Sequence, residues 1–527
     1  MKENNREPVR DSEALYGRLK QYADSDFYPW HMPGHKRRLV EFDNPFSIDI
    51  TEIEGFDDLH HPEGILKEAM EKAAAAYGAE KTYFLVNGSS CGILAAVSAA
   101  VKPGEKLLMA RNCHKSAYHG AFLQQAQVTY VYPELEEEGF YGALSPEVVE
   151  QALDEDDEIR AVIMVSPGYE GVVSDVAAIA GIVHAHGCTL IVDEAHGAHL
   201  PFAKACGLDF PASALEKGAD VVIQSLHKTL PSLTQTALLH LGRGGSRRIR
   251  PETLELYLRI YQSSSPSYIF MASIDHCIRL MAGEQGKKLM KEYAENLKTV
   301  RIKLRKELHV LCLYEPAPLH ESLLPQEPAV SQTEECFYDP SKFVIITDQK
   351  QTADGSWLAD TLRKCYHLEP EMNTDRYVIL MSSPADTKEG FDRLAKALKE
   401  IDHMLEVQLE KDGCKEELQC VFSDCAAACS ILSAALPCNA PQAVMNSSCA
   451  VTAPGEWVLL SRAEGRICHD YIYIYPPGIP LLVPGERIEK QHTELIRTWQ
   501  NHGLEVHGIK AEGPEKSDDS EILCICP

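Results

Sequence analysis

Asp193 and Lys228 are the pair of residues from which chemistry can be read first. The apolar run Thr189 to Val192 ends on Asp193, and the run Asp220 to Ile223 ends on Gln224-Ser225-Leu226-His227-Lys228. A third run, Ala237 to Leu241, follows a Thr/Ser-rich turn. Short continuous apolar runs separated by helical or loop segments suit strands of a parallel sheet covered on both faces. Polar residues at the C-terminal ends of such strands lie where open α/β sheets bind ligands, so the carboxylate and the lysine are expected in one crevice. That pair suits pyridoxal phosphate. The lysine forms the Schiff base, and the aspartate keeps the pyridinium nitrogen protonated.

The elements that must position this pair extend upstream. Thr82 to Val86 reads as a strand, Asn87-Gly88-Ser89-Ser90 as a turn, and Cys91 to Val101 as an apolar, alanine-rich helix. Gly, Ser and Ser at a helix N-terminus offer N–H groups, hydroxyls and the positive dipole end to an anion, and a phosphate fits. Serine is also an ordinary N-cap. Strands at Lys106 to Ala110 and Ala161 to Val165 end in Arg111-Asn112-Cys113-His114-Lys115-Ser116 and Ser166-Pro167-Gly168-Tyr169. The result is a β–α rhythm from about 80 to 242, the pattern of a mostly parallel sheet.

Before it, residues 1–45 form an N-terminal arm with a short helix, Ser12 to Tyr22, and a loop, Phe27 to Arg37, where Pro29, Pro33 and Gly34 stop regular structure. His31, His35, Lys36 and Arg37 make that loop basic, either as a solvated turn or as a group near cofactor or substrate. Adjacent His60 and His61 rarely bind one metal together, so their loop is structural or lines the substrate. After the sheet come a helix, Pro251 to Gln262, the serines 263–265, and a long helical stretch, Ile274 to Leu308. Short strands and helices alternate to about 400: Phe343 to Thr347, Gly355 to Tyr366, Tyr377 to Met381, Thr387 to Met404. The remainder opens with a Cys/Ala helix, passes through Ile472 to Pro484, whose prolines suggest an extended, ordered loop, and ends in a tail after Lys510 expected to be flexible.

Composition narrows the partners. With 51 basic against 78 acidic residues the net charge is −27, which disfavours nucleic acid and anionic membranes. No segment approaches about 18 uninterrupted apolar residues, and the polar start lacks the apolar centre of a signal peptide. Seventeen cysteines, an odd number scattered mostly inside apolar runs, read as reduced core thiols of a cytoplasmic protein. Cys420, Cys425 and Cys429 match no zinc pattern, and no metal is expected.

The segments GSSCGI at 88–93, RNCHKS at 111–116, DEAHGAH at 193–199, SLHKTLP at 225–231, SSSPSY at 263–268 and YPPGIPLLVPGE at 475–486 resemble the bacterial ornithine/lysine/arginine decarboxylases, which are fold-type-I pyridoxal-phosphate enzymes. The match runs in order from about 28 to 490. The larger relatives carry a receiver-like N-terminal domain, and this chain resembles the short form without it. The resemblance implies an α/β fold. A large domain with a mostly parallel seven-stranded sheet covers 46–273, and a connecting helix and small α/β domain cover 274–404. A C-terminal α+β domain with its tail covers 405–527. It implies that Lys228 carries the cofactor, Asp193 pairs with its ring nitrogen, His114 stacks on the ring, and Ser89, Ser90 and Ser225 hold the phosphate. His227 is implied in phosphate contact or proton delivery. His196 stands where some larger relatives have tryptophan, so it is implied at the cofactor with its role open. Ser264 and Ser265 are implied to reach a neighbouring subunit's site, making a homodimer or higher oligomer, and Glu371 to lie near the distal cation of the substrate.

The implied reaction is decarboxylation of a small cationic amino acid to its amine and CO2 in polyamine or diamine formation, with arginine favoured over lysine and ornithine because short members often act on arginine. Two other pyridoxal chemistries compete. Acyl-transferring synthases share DEAHG but usually place a glycine-rich turn after the lysine, where this chain has Thr229-Leu230-Pro231. Aminotransferases fix the α-carboxylate with an arginine of the small domain, and Arg376 is the candidate. A non-catalytic regulator is disfavoured by the intact Lys228 and Asp193 and by the absence of a basic stripe.

Overall fold

The structure, a computed structural model, describes residues 15–38, 44–316, 337–347, 353–411, 441–474, 478–501, 504–510 and 520–526. Cys420, Cys425, Cys429, Pro476, Pro477 and the expected Cys/Ala helix lie outside the described residues.

The N-terminal arm carries a helix, Leu15–Ala23, and β1 (Tyr28–Trp30), which pairs in parallel with Leu368–Pro370 of the small domain. The large sheet contains β2 (Lys81–Leu85), β3 (Lys106–Ala110), β4 (Gln127–Val131), β5 (Ile159–Val165), β6 (Thr189–Asp193), β7 (Val221–Gln224) and β8 (Ala237–Leu241). Their order is β2-β8-β7-β6-β5-β3-β4. All pairs are parallel except those of β8, which runs antiparallel to β2 and β7. Every residue of β6, β7 and β8 is buried, as their continuous apolar runs require. Each fully buried Val, Leu or Ile contributes about 1.5–3 kcal/mol to this core.

Register does the positioning. Val165 of β5 stands opposite Asp193 of β6, and Asp193 opposite Ile223 of β7. The polar residues that follow these strands therefore emerge along one edge. Chain order reverses between β3 and β5, the crossover where such sheets open a crevice.

Three local expectations change. The helix expected from Cys91 begins at Gly88, so Ser89 and Ser90 occupy its first turn, where backbone N–H groups have no helical partner. The stretch Ile274 to Leu308 is not one helix. Tyr268–Ala282 and Glu284–Glu307 meet at Gly283, whose backbone is extended. A side chain at Gly286 would stand 2.4 Å from the carbonyl oxygens of Leu280 and Met281, so only glycine allows that elbow. The tail is not flexible throughout, because Glu521–Ile525 forms the central strand of a three-stranded antiparallel sheet with Gly455–Leu459 and Ile509–Lys510. Its alternating burial was masked in the sequence by the polar run before it. The strand β4 was not expected at all.

The small domain is a four-stranded antiparallel sheet of Met372–Asn373, Tyr377–Met381, Lys342–Ile346 and Cys312–Leu313, accompanied by helices Gly355–Tyr366 and Lys388–Lys411. In the C-terminal domain the expected extended segment supplies Ile472–Ile474 and Pro480–Leu482 to a second small sheet. Two buried ion clusters join these parts. Arg111, after β3, makes a bidentate pair with Glu486 at 2.8 and 3.0 Å and also donates to the Leu481 carbonyl. His199 of the large domain meets Asp339 of the small domain at 3.2 Å, with Lys342 Nζ 3.4 Å from the same carboxylate. Among the described residues no helix is long and apolar enough to cross a membrane.

Candidate active site

Asp193 ends β6 and is 5 % exposed, and its Oδ1 accepts the Ala195 N–H at 3.1 Å. Burial raises its pKa, and Lys228 opposes that rise. Lys228 lies on the short helix Leu226–Thr229 that follows β7. Burial lowers the lysine pKa, while Asp193 and Glu371 work against it. Lys228 Nζ stands 2.9 Å from His196 Nε2. Burial, then the Lys228 charge, drives His196 well below its usual pKa, so the ring is neutral beside the lysine. The two residues singled out by strand-end position thus meet in one cavity of about 320 Å³, together with Ser89, Ser90, His114, His196 and His227.

The histidines are held by short-range geometry. His114 caps the helix Lys115–Leu123, and its Nδ1 accepts the Ser116 N–H at 3.3 Å and lies 2.8 Å from Ser116 Oγ. Burial pushes its pKa down to about 3. His227 Nδ1 lies 3.0 Å from the Thr236 carbonyl, and burial pushes that ring to about 4. Both rings are neutral at ordinary pH, which suits packing against an aromatic group better than binding its phosphate as cations.

The residues present fit pyridoxal phosphate. Ser225 is fully buried, and among the described residues its Oγ has no hydrogen-bond partner, nor have Asn112 Oδ1 and His196 Nδ1. Buried polar atoms are almost always paired, and Asn112 and His196 line the one cavity, so their unpaired atoms point to a polar ligand there. The first turn of helix Gly88–Ala100 lines the same cavity with Gly88, Ser89 and Ser90, a seat for a phosphate.

Glu371 stands apart from this group. Its Oε1 accepts the Tyr169 hydroxyl at 2.6 Å and its Oε2 the Met32 N–H at 2.8 Å, and it does not line the cavity although its charge reaches Lys228. Ser264 and Ser265 are exposed and likewise off the cavity of their own chain. Their loop is anchored near the phosphate seat, where Ser263 N–H donates to Asn87 Oδ1 at 3.2 Å. Arg376 does line the cavity, with Nη1 donating to the Glu137 carbonyl at 3.1 Å.

The basic arm loop is not a solvated turn. Lys36 is 6 % exposed, and its Nζ donates to the carbonyls of Pro29, His31 and Met381. Gly34 N–H donates to the His227 carbonyl at 2.6 Å, and a Cβ at 34 would lie 2.8 Å from backbone atoms of Leu230. The arm therefore clamps the turn that carries Lys228.

Sequence reasoning missed the other half of the lining. Tyr169 packs edge-on against His196 with ring centroids 4.8 Å apart, and Glu170 follows it. Phe140, Met372 and Tyr377 add a wall, and Ile479, Pro480, Leu481 and Trp499 of the C-terminal domain add another. The prolines of the Pro480–Leu481 stretch imply extended chain, but nothing in its residues aims it at β3. The Arg111–Glu486 pair does that.

The family described as "Orn/Lys/Arg decarboxylase, major domain" matches residues 13–390, and "Orn/Lys/Arg decarboxylase, C-terminal domain" matches 432–521. The chain is 30% identical over 512 residues to an arginine decarboxylase of Bacillus subtilis (strain 168), covering 95% of this chain and 96% of that protein. It is 31% identical over 504 residues to an arginine decarboxylase of Halalkalibacterium halodurans, covering 94% of each. The solved structure of lysine decarboxylase A from Pseudomonas aeruginosa matches with a TM-score of 0.74 at 20% identity, covering 97% of this chain and 82% of that one, which shows a common fold.

Proposed function

This chain belongs to the Orn/Lys/Arg decarboxylase family, and from that premise we propose that it converts arginine to agmatine and CO2. Decarboxylation of a basic amino acid is the reaction class, and arginine is the substrate within it, supported by relatives named arginine decarboxylase that align over nearly the whole chain. The observation that carries the reading is the buried Lys228–His196 contact at 2.9 Å in the cavity that Asp193 also lines.

In this reading the cofactor is pyridoxal phosphate, which Lys228 would hold, with Asp193 as the partner for its ring nitrogen, His114 for its ring and Ser89, Ser90 and Ser225 for its phosphate. When bound it supplies an electron sink for the pair released as the bond from Cα to the carboxylate breaks. The protein's own residues do the rest. Asp193, buried at the end of β6 with Lys228 opposing the rise that burial imposes on its pKa, would hold a proton on the ring nitrogen by opposite charge. Lys228 Nζ and His196 Nε2, 2.9 Å apart, are placed so that the lysine, when its amine is free, would deliver a proton toward Cα while the neutral imidazole holds its Nζ in position. His227, neutral beside Lys228, orients that lysine's turn. Ile479, Pro480 and Leu481 exclude water from the reacting end. The active unit is at least a dimer in which Ser264 and Ser265 complete the site of the partner subunit, and it works among reduced thiols in the cytoplasm to form a diamine or polyamine precursor.

Purified enzyme supplied with pyridoxal phosphate and assayed for CO2 release on arginine, lysine and ornithine tests the reading. The highest kcat/KM is expected on arginine. Release from none of the three would reject the reaction class, and a preference for lysine or ornithine would reject the substrate.

A further inference from the structure

A basic amino acid brings a second cation several bonds away from Cα, and the cavity must meet it. The acid that the resemblance nominates, Glu371, has both oxygens bonded within the protein and lies off the lining. Asp193 belongs to the cofactor end. Glu138 and Asp375 line the cavity while half exposed and flank Arg376, whose charge acts on Glu138. Glu170 differs from all of these. It is 8 % exposed, it lines the cavity, and among the described residues its side chain bonds the Tyr377 hydroxyl, 3.0 Å from Oε1, and no cation.

A buried carboxylate without a counter-ion is costly, and burial pushes Glu170 up to about 7 against its own N–H and the Tyr377 hydroxyl. The position is fixed from two sides. The turn after β5 closes with the Gly171 N–H on the Gly168 carbonyl at 3.2 Å and is pinned to the small domain where the Asp339 N–H donates to the Gly171 carbonyl at 2.8 Å. Tyr377 is itself wedged against Phe140 with ring centroids 5.6 Å apart. Glu170 also follows directly on Tyr169, whose ring touches His196, so it sits one residue beyond the group that borders Lys228.

Resting on the decarboxylase reading above, we propose that Glu170, oriented by Tyr377, receives the substrate's distal cation. The cation supplies the missing counter-charge, and the carboxylate ionises on binding. A guanidinium suits this site because it is planar, weakly hydrated and stays charged whatever the site does to its pKa. A lysine ammonium would have to shed tighter hydration to enter.

The test uses the holoenzyme and citrulline, which has the shape of arginine but a neutral distal group. Glu170→Gln keeps an oxygen for the Tyr377 hydroxyl. Because a hydrogen bond to a charged group is lost, kcat/KM for arginine is expected to fall roughly 10- to 100-fold, mainly through KM. The inhibition constant of citrulline is expected to stay level or improve, and the cofactor absorbance and thermal midpoint to stay near those of the parent. Tyr377→Phe, which frees the carboxylate to rotate, is expected to raise KM for arginine several-fold in the same direction. An active parent whose arginine-to-citrulline selectivity is unchanged in Glu170→Gln, or an equal loss on both ligands in both variants, overturns the assignment of Glu170 while leaving the reaction class intact. A parent that decarboxylates no basic amino acid overturns both.

Discussion

The two ends of the active cavity are built in opposite ways. At the cofactor end the groups come from strand ends of one sheet, and among the described residues several of their polar atoms, Asn112 Oδ1 and His196 Nδ1 among them, are buried without partners. At the far end the groups come from the N-terminal arm, the turn after β5, the small domain and the C-terminal domain, and the first three bond one another: Tyr169 to Glu371, Met32 to Glu371, Tyr377 to Glu170. The first end is rigid because a sheet holds it, and it is ready for a ligand that completes its hydrogen bonds. The second is held only by contacts between domains, so its integrity depends on the ion pairs that join them. In the proposed reading, chemistry resides at the first end and the choice of substrate at the second.

The largest effect that separates the ends is expected from Lys228→Ala, which removes covalent catalysis and should lower turnover by several orders of magnitude. The same variant should lose the long-wavelength absorbance of the loaded enzyme. Turnover near that of the parent would mean that chemistry does not reside at this end. Asp193→Asn should retain cofactor on the serines yet lose roughly 10²- to 10³-fold in kcat, because a neutral amide no longer stabilises the ring proton. Full activity in a holoenzyme titration of this variant would reassign the role to another acid.

At the joint between domains, Glu486→Gln leaves Arg111 buried and uncompensated, which should cost about 3–5 kcal/mol in unfolding free energy. Replacing both partners together, with Arg111→Met and Glu486→Leu, should recover much of that loss. If the single variant unfolds at the parent's denaturant midpoint, the far end does not rest on this pair. The smallest effect concerns a histidine outside both ends. His240 of β8 is fully buried between Thr82 and Gln224, and burial holds it at about 3, whereas an imidazole in the unfolded chain titrates near 6.5. As pH falls below that value the unfolded chain takes up a proton that the folded protein refuses, so stability falls, by about 1 kcal/mol for the first unit below 6.5. His240→Gln should flatten the fall of the thermal midpoint between pH 6.5 and 5.5. An unchanged slope would show that other groups carry the acid sensitivity.

What the sequence determined by itself is the cofactor end. Apolar runs that lead to Asp193 and Lys228, and a Gly-Ser-Ser helix start, encode strand, terminus and polar end within a few residues, so continuous apolar runs and the polar residues that close them suffice to read them. The small-domain strands around 343 and 377 were legible for the same reason. The tertiary structure alone decided the rest. Glu371 and Glu170 are both glutamates beside a tyrosine or an aromatic wall, and no local signal says that the first is tied to Met32 while the second faces the cavity. Lys36, in a run of basic residues, suits a solvated turn as well as a place near cofactor or substrate, and only the carbonyls of Pro29, His31 and Met381 around it decide that it is buried. The break at Gly283 and the buried strand Glu521–Ile525 depend on neighbours far along the chain. Local sequence carries backbone preference and burial period, whereas the partner that satisfies a buried charge is supplied by residues hundreds of positions away.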